Sequence, residues 1–211
     1  MFRSSRPPGT WKSAMRRVIE ASQLVINVLK PGGMSLAPDP NALVPGTPPG
    51  QGIQSTTEVR LMHAAIRHLI RSSSYGWDRA WGQPIKQEDL AGTLMTFSTI
   101  VLRGFEKLNV HLSSQQQDDF IRFWSHVGRM MGIHEDLLPQ DYGQAKTLFR
   151  SIARRQLRGS ELGRSLMAAL LDAYEKQIPV PFSPRNQRKL RLLLPWSGSC
   201  GPVGRPAPTS V

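Results

Sequence analysis

The sequence predicts an all-α fold, and three observations carry that prediction. Apolar residues recur at the three- and four-residue spacing of helices, and no segment alternates strictly as a half-buried strand would. Two capping-box patterns, Ser55–Glu58 and Ser114–Gln117, stand directly before such periodic runs. Most of the 17 prolines and 18 glycines fall between the periodic segments rather than inside them. The expected architecture is a helical bundle with a buried central helix at about 90–109 and irregular N- and C-terminal segments. Residues 1–54 read as an N-terminal helix and a Pro/Gly-rich linker, 55–178 as the helical domain, and 179–211 as a basic, partly disordered tail.

Each element has its own signal. A helix is expected from Trp11 to Lys30, with Thr10 as N-cap and Pro31-Gly32-Gly33 as its stop. Its apolar positions (Met15, Val18, Ile19, Leu24, Val25, Val28 and Leu29) are poorly striped, as in a helix packed at both ends. Residues 31–54 hold six prolines and five glycines and read as a linker, although a loop of that length also suits a lid or a channel wall. The next helix opens at the Ser55–Glu58 box and runs to Ile70. At about 100° per residue, Val59, Met62, Ile66, Leu69 and Ile70 share one face, which is expected to be buried. His63 lies on the shoulder of that face. Arg60 three residues before it and Arg67 four after it complete one stripe. This arrangement suits an imidazole that ligates a metal or haem, with guanidinium groups holding carboxylates nearby. His68 points to the side away from the apolar centre.

Trp77 and Trp81, four apart in a turn-rich connection, can pack together. A helix from Lys86 to Asn109 follows, with the acidic entry Gln87-Glu88-Asp89 that suits the positive end of a helix dipole. Thirteen consecutive residues, Leu90 to Leu102, carry no charge, so this helix is expected at the centre, buried nearly all round. Its Thr93, Thr96, Ser98 and Thr99 can return hydrogen bonds to the preceding turn, or Thr93 or Thr96 can line a pocket. A helix from Ser114 through Met131 has Phe120, Phe123, Trp124, Val127, Met130 and Met131 as its core stripe, and Gly132 closes it. Leu137-Leu138-Pro139 reads as a corner. A helix from about Tyr142 to Leu157 turns Ala145, Leu148, Phe149 and Ile152 inward, and Ser160 caps a last helix to Gln177.

Composition removes several function classes. The chain has 211 residues and a net charge of +12, but the charge is scattered and no basic run forms a nucleic-acid patch, so no nucleic-acid partner is expected. Cys200 is the single cysteine, which excludes an internal disulfide framework and fits a reducing, cytoplasmic setting. No apolar run reaches the roughly 18–20 residues of a membrane span, and no signal-peptide pattern opens the chain. Glycine-rich phosphate loops, CxxC pairs, HExxH and a serine nucleophile elbow are all missing. Of the five histidines, none pairs with another at the spacing of a shared helical metal site. What is left is a lone histidine on a helix, and haem is a cofactor held by one or two such ligands.

The segments VRLMHAAIRHLI (Val59–Ile70), GQPIKQEDLAGTLMTFS (Gly82–Ser98) and FWSHVGRMMGIHEDLLPQDY (Phe123–Tyr142) resemble the rubber oxygenase, or latex-clearing protein, catalytic-domain family, which includes a fungal membrane-bound oxygenase of the mycophenolic acid pathway. The three blocks keep the family's order over roughly residues 52–178. The resemblance implies a globin-like bundle around haem b that attacks isoprenoid double bonds with dioxygen. It places Arg60 and His63 at a motif in which a haem-facing residue follows an arginine by three. The family's second ligand, a histidine on the following helix, has no counterpart between Ile85 and Val110. That position falls on Met95 or Ala91, of which only methionine can ligate iron.

Two functions follow as expectations. In the first, the chain is a haem-dependent, oxygenase-type oxidoreductase for an apolar, isoprenoid-like small molecule and dioxygen. His63 is then the metal ligand, Arg67 and Met95 complete the haem contacts, and Arg60 and Thr93 serve catalysis. In the second, it is a truncated, cofactor-free helical remnant that binds a partner or an apolar ligand. Only some fifty residues precede the first block, where family members carry a larger region, and this favours the second.

Overall fold

A computed structural model describes residues 11–36, 50–73, 77–78, 82–157, 159 and 161–177. The Thr10 cap, most of the linker, Trp81, the Ser160 cap and the basic tail lie outside the described residues. Among those described, the chain is all-α with no strand: α1 (Trp11–Leu29), α2 (Gln51–Ser72), α3 (Gln87–Phe97), α4 (Thr99–Lys107), α5 (Ser114–Met130), a 3-10 turn (Glu135–Leu137), α6 (Tyr142–Gln156) and α7 (Glu161–Gln177). The described residues as far as Tyr174 form one compact unit. None of the described helices is long and apolar enough to cross a membrane.

The centre of this unit is α3, as its uncharged sequence predicts. Leu90, Ala91, Leu94 and Met95 are buried against Ile121, Trp124 and Val127 of α5 and Tyr142, Ala145, Phe149 and Ile152 of α6. The expected single helix is instead divided at Ser98, whose backbone (φ −112°, ψ −78°) leaves regular helical geometry and starts α4. The side chain of Ser98 donates to the carbonyl of Leu94 at 3.0 Å, a back-bond that bends helices. Burial all round also needs correcting, because Thr93, Thr96 and Val101 are exposed. The hydroxyls of Thr93 and Thr96 return to backbone carbonyls of Asp89 (2.8 Å) and Thr93 (2.6 Å), so the local hydrogen-bond reading holds for them.

Side-chain caps mark the later helices. The capping box of α5 forms one residue earlier than expected. Ser113 accepts from the Gln116 N–H at 3.2 Å, and the Gln116 side chain accepts from the Ser113 N–H at 2.9 Å. Gln117 reaches back to the carbonyl of Leu112 instead. The Asp141 carboxylate accepts from the Gln144 N–H at 2.8 Å and caps α6, which starts at Tyr142 as expected.

The largest departure is α2. It begins at Gln51, inside the expected linker, and the Ser55–Glu58 box does not form. Ser55 Oγ accepts instead from Asn27 Nδ2 of α1 at 2.9 Å, so a tertiary partner takes the group that would have capped. The early start is possible because Gly52 presses on the end of α1. Its N–H donates to the carbonyl of Gly33 at 2.9 Å, and a Cβ there would meet that oxygen at 2.7 Å and the Cα of Val28 at 2.8 Å. The face expected inside is largely outside: Met62 is 50 % exposed, Ile66 38 % and Leu69 66 %. Gly52, Thr56, His63 and Arg67 turn inward in its place. On the helical wheel this rotates α2 by roughly 70° from the orientation its apolar residues predict.

Candidate functional site

That rotation carries His63 from the shoulder of α2 onto the wall of a cavity of about 280 Å³. Leu24 of α1, Ile85, Leu90, Leu94, Phe97 and Met131 supply an apolar lining, and His63, Asp89, Thr93 and Trp124 supply the polar groups. Pockets that bury drug-sized ligands span about 300–1,000 Å³, so this one suits a compact molecule.

His63 Nδ1 is buried without a hydrogen-bond partner. Burial, and secondarily the charge of Arg67, hold its pKa below the ordinary 6.5. The imidazole is therefore neutral at neutral pH, the form that keeps a lone pair for a metal or a hydrogen-bond donor. The two arginines of its stripe face elsewhere. Arg60 Nη1 donates to the carbonyl of Met130 at 3.2 Å, and its guanidinium lies over Gly132, which has φ +85°. Arg67 donates through Nε to the carbonyl of Pro84 (3.2 Å) and through Nη2 to that of Ile85 (2.9 Å). Ile85 has φ 52°, a left-handed conformation that costs a β-branched residue energy and needs outside support. Arg67 gives that support, so the helix bearing His63 also fixes a strained part of the cavity wall.

Of the residues singled out from sequence, His63 and Thr93 meet at the cavity, whereas Arg60, Arg67 and Met95 do not line it. Met95 is 1 % exposed in the core, and its sulfur accepts a hydrogen bond from Thr99 Oγ1 at 3.2 Å. Ala91 is fully buried. Among the described residues no three His, Cys, Asp or Glu side chains gather around a possible metal ion. Of the haem contacts expected from sequence, only the His63 imidazole stands at the cavity. The arginine and methionine groups that would complete the set are engaged elsewhere.

Trp124 and Ile85 escaped the sequence reading as site residues. Trp124 belongs to a periodic core stripe, and its indole is indeed 2 % exposed; nothing in the spacing shows that one edge borders a cavity. The backbone strain of Ile85 likewise has no sequence mark beyond the turn formers Gly82 and Pro84 that precede it.

Residues 9–205 match the family described as ER-bound oxygenase mpaB/B'/rubber oxygenase, catalytic domain. A curated relative, the rubber oxygenase of Streptomyces sp. (strain K30), is 25% identical over 126 residues. That alignment covers 59% of this chain and 31% of the relative, so the chain spans about a third of that protein's length. No solved structure matches. The family match over most of the chain settles one thing: this protein belongs to the mpaB/B'/rubber oxygenase catalytic-domain family.

Proposed function

We propose that the chain is a haem-dependent, oxygenase-type oxidoreductase acting on an apolar, isoprenoid-like substrate with dioxygen. The observation that carries this reading is His63: a neutral imidazole with an unpartnered ring nitrogen, on an apolar cavity, in a member of an oxygenase family. Haem b, when bound, supplies the dioxygen chemistry, and the protein does the rest. His63 provides the ligand. Leu90, Leu94 and Phe97 exclude water and hold the substrate by apolar contact. Thr93 has already given its hydroxyl proton to the carbonyl of Asp89, so it offers the cavity only lone pairs. Arg67 positions the wall through Ile85, and Arg60 ties α2 to the end of α5.

The second reading, a cofactor-free helical protein that takes an apolar ligand in the same cavity, is supported by the engagement of Arg60, Arg67 and the Met95 sulfur away from it. His63 Nδ1 also lacks the outer partner that orients most ligating imidazoles. An absorbance spectrum after purification and haem reconstitution separates the two. The haem reading expects a Soret band that His63→Ala abolishes or shifts and His68→Ala leaves alone. A protein that takes up no haem is the cofactor-free one, and a Soret band indifferent to His63→Ala removes His63 as the ligand.

A further inference from the structure

A second unsatisfied group belongs to another residue that lines the same cavity. Trp124 is 2 % exposed, and its indole Nε1–H is buried with no acceptor. An orphaned donor is unfavourable, and native proteins leave few of them. Rotation does not relieve this one, because the indole is wedged among aromatic rings. It stacks on Phe97 at 5.6 Å and meets Phe120 at 6.4 Å and Phe123 at 6.1 Å edge to face. Phe97, like Trp124, lines the cavity, so the stack that fixes the donor is also part of the wall.

Charge narrows what can supply the acceptor. Among the described residues that line the cavity none is cationic, and the Arg60 and Arg67 guanidinium groups on the His63 helix are held on backbone carbonyls. The one charged group in the lining is the Asp89 carboxylate, which repels an anion. The rest of the described wall is hydrocarbon and aromatic but for the His63 imidazole and the Thr93 hydroxyl. We propose that this cavity takes a compact apolar molecule carrying one neutral oxygen function, a hydroxyl or a carbonyl, whose oxygen accepts the hydrogen bond of Trp124 Nε1–H. A plain hydrocarbon leaves the donor unsatisfied, and a carboxylate brings a charge the wall does not neutralise. This assignment rests on the reading of the cavity as the substrate site and adds the substrate's polar group to it.

The test compares octanol, octanoate and octane on the purified full chain by nitrogen–proton correlation NMR for the indole and carbon–proton correlation NMR for the methyl groups. The indole signal of Trp124 is identified by its loss in Trp124→Phe. Octanol is expected to move that signal downfield and to bind about tenfold more tightly than octane, the gain of one well-made hydrogen bond. Octanoate is expected to bind most weakly. Trp124→Phe, which keeps the aromatic stack, is expected to erase the preference for octanol. If that variant folds poorly, the Trp124 signal is identified instead by its nuclear Overhauser contacts to the Phe97 ring stacked on it at 5.6 Å, and the unmutated protein gives the answer. Octane and octanol shifting the cavity methyl groups of Leu94 and Ile85 equally, with the indole signal unmoved, overturns the proposal and leaves an apolar site standing. Failure of all three to shift those methyl groups overturns the proposal and the use of this cavity as a substrate site together.

Discussion

Helices α2 and α3 both line one cavity and are placed by different forces. The orientation of α3 follows its apolar residues: Leu90, Ala91, Leu94 and Met95 are all less than a tenth exposed. The orientation of α2 does not, since Leu61, Met62, Ile66 and Leu69 are between 38 % and 71 % exposed. Small residues and hydrogen bonds fix α2 instead. Gly52 and Thr56 let it approach α1, Asn27 binds Ser55, and Arg60 and Arg67 each reach backbone carbonyls of other segments. The hydrophobic effect is proportional to area and has no direction, whereas hydrogen bonds to fixed carbonyls have one. Where several such bonds converge on a helix with small residues on the same side, they set its rotation. The result brings a histidine, which a purely apolar fit would have left at the rim, to the cavity wall.

The contrast can be broken or sharpened by mutation. The largest effect is expected in α3: Leu94→Asp places an unpaired carboxylate in the core and should cost at least about 3 kcal/mol or prevent folding, as urea unfolding will show. In α2 the effect should come from a polar residue. Arg67→Ala removes two hydrogen bonds that hold the backbone at Pro84 and Ile85 and is expected to cost on the order of 1–2 kcal/mol. Amide hydrogen exchange should quicken selectively over residues 82–86. Smaller still is the titration of His63. Its pKa is lowered in the folded protein, so the stability it contributes is complete above pH 6.5 and is lost as pH falls through the lower folded value. The melting temperature should therefore start to decline below pH 6.5, and His63→Gln should flatten that part of the profile. Glu88 acts in a separate, more acidic window. Hydrogen bonds from Arg155 and then Gln156 lower its pKa, so its contribution is lost only as pH falls below 4.5. The smallest effect belongs to the outward stripe: Leu69→Gln is expected to change stability by no more than about 0.5 kcal/mol. A loss as large as that for Leu94→Asp would mean that α2 is placed by its apolar face after all.

Much of the fold was legible because local rules suffice for it. The uncharged run from Leu90 identified the central helix, and the turn formers around residues 31–33 and 132 located two helix ends to within a residue or two. The Ser113 cap was missed by one position, since Ser113 and Ser114 followed by three glutamines offer two equivalent boxes. The candidate site was legible only in part. His63 could be picked out by its stripe and by resemblance, and Thr93 as a polar residue of an uncharged helix, and both reach the cavity. Trp124 could not, because a core aromatic and a cavity-wall aromatic have the same periodicity.

By itself the sequence determined the helical class, the order and approximate ends of the helices, the centrality of α3 and the family. Each of these depends on residue pattern along a single segment. Only the tertiary structure decided which way α2 faces. Ser55 was free to cap its own helix or to bind Asn27, and Arg67 to hold a carboxylate or the carbonyls of Pro84 and Ile85. Those alternatives differ in partners far apart in the chain. Their outcome, and with it the surroundings of His63, became fixed only when the segments packed.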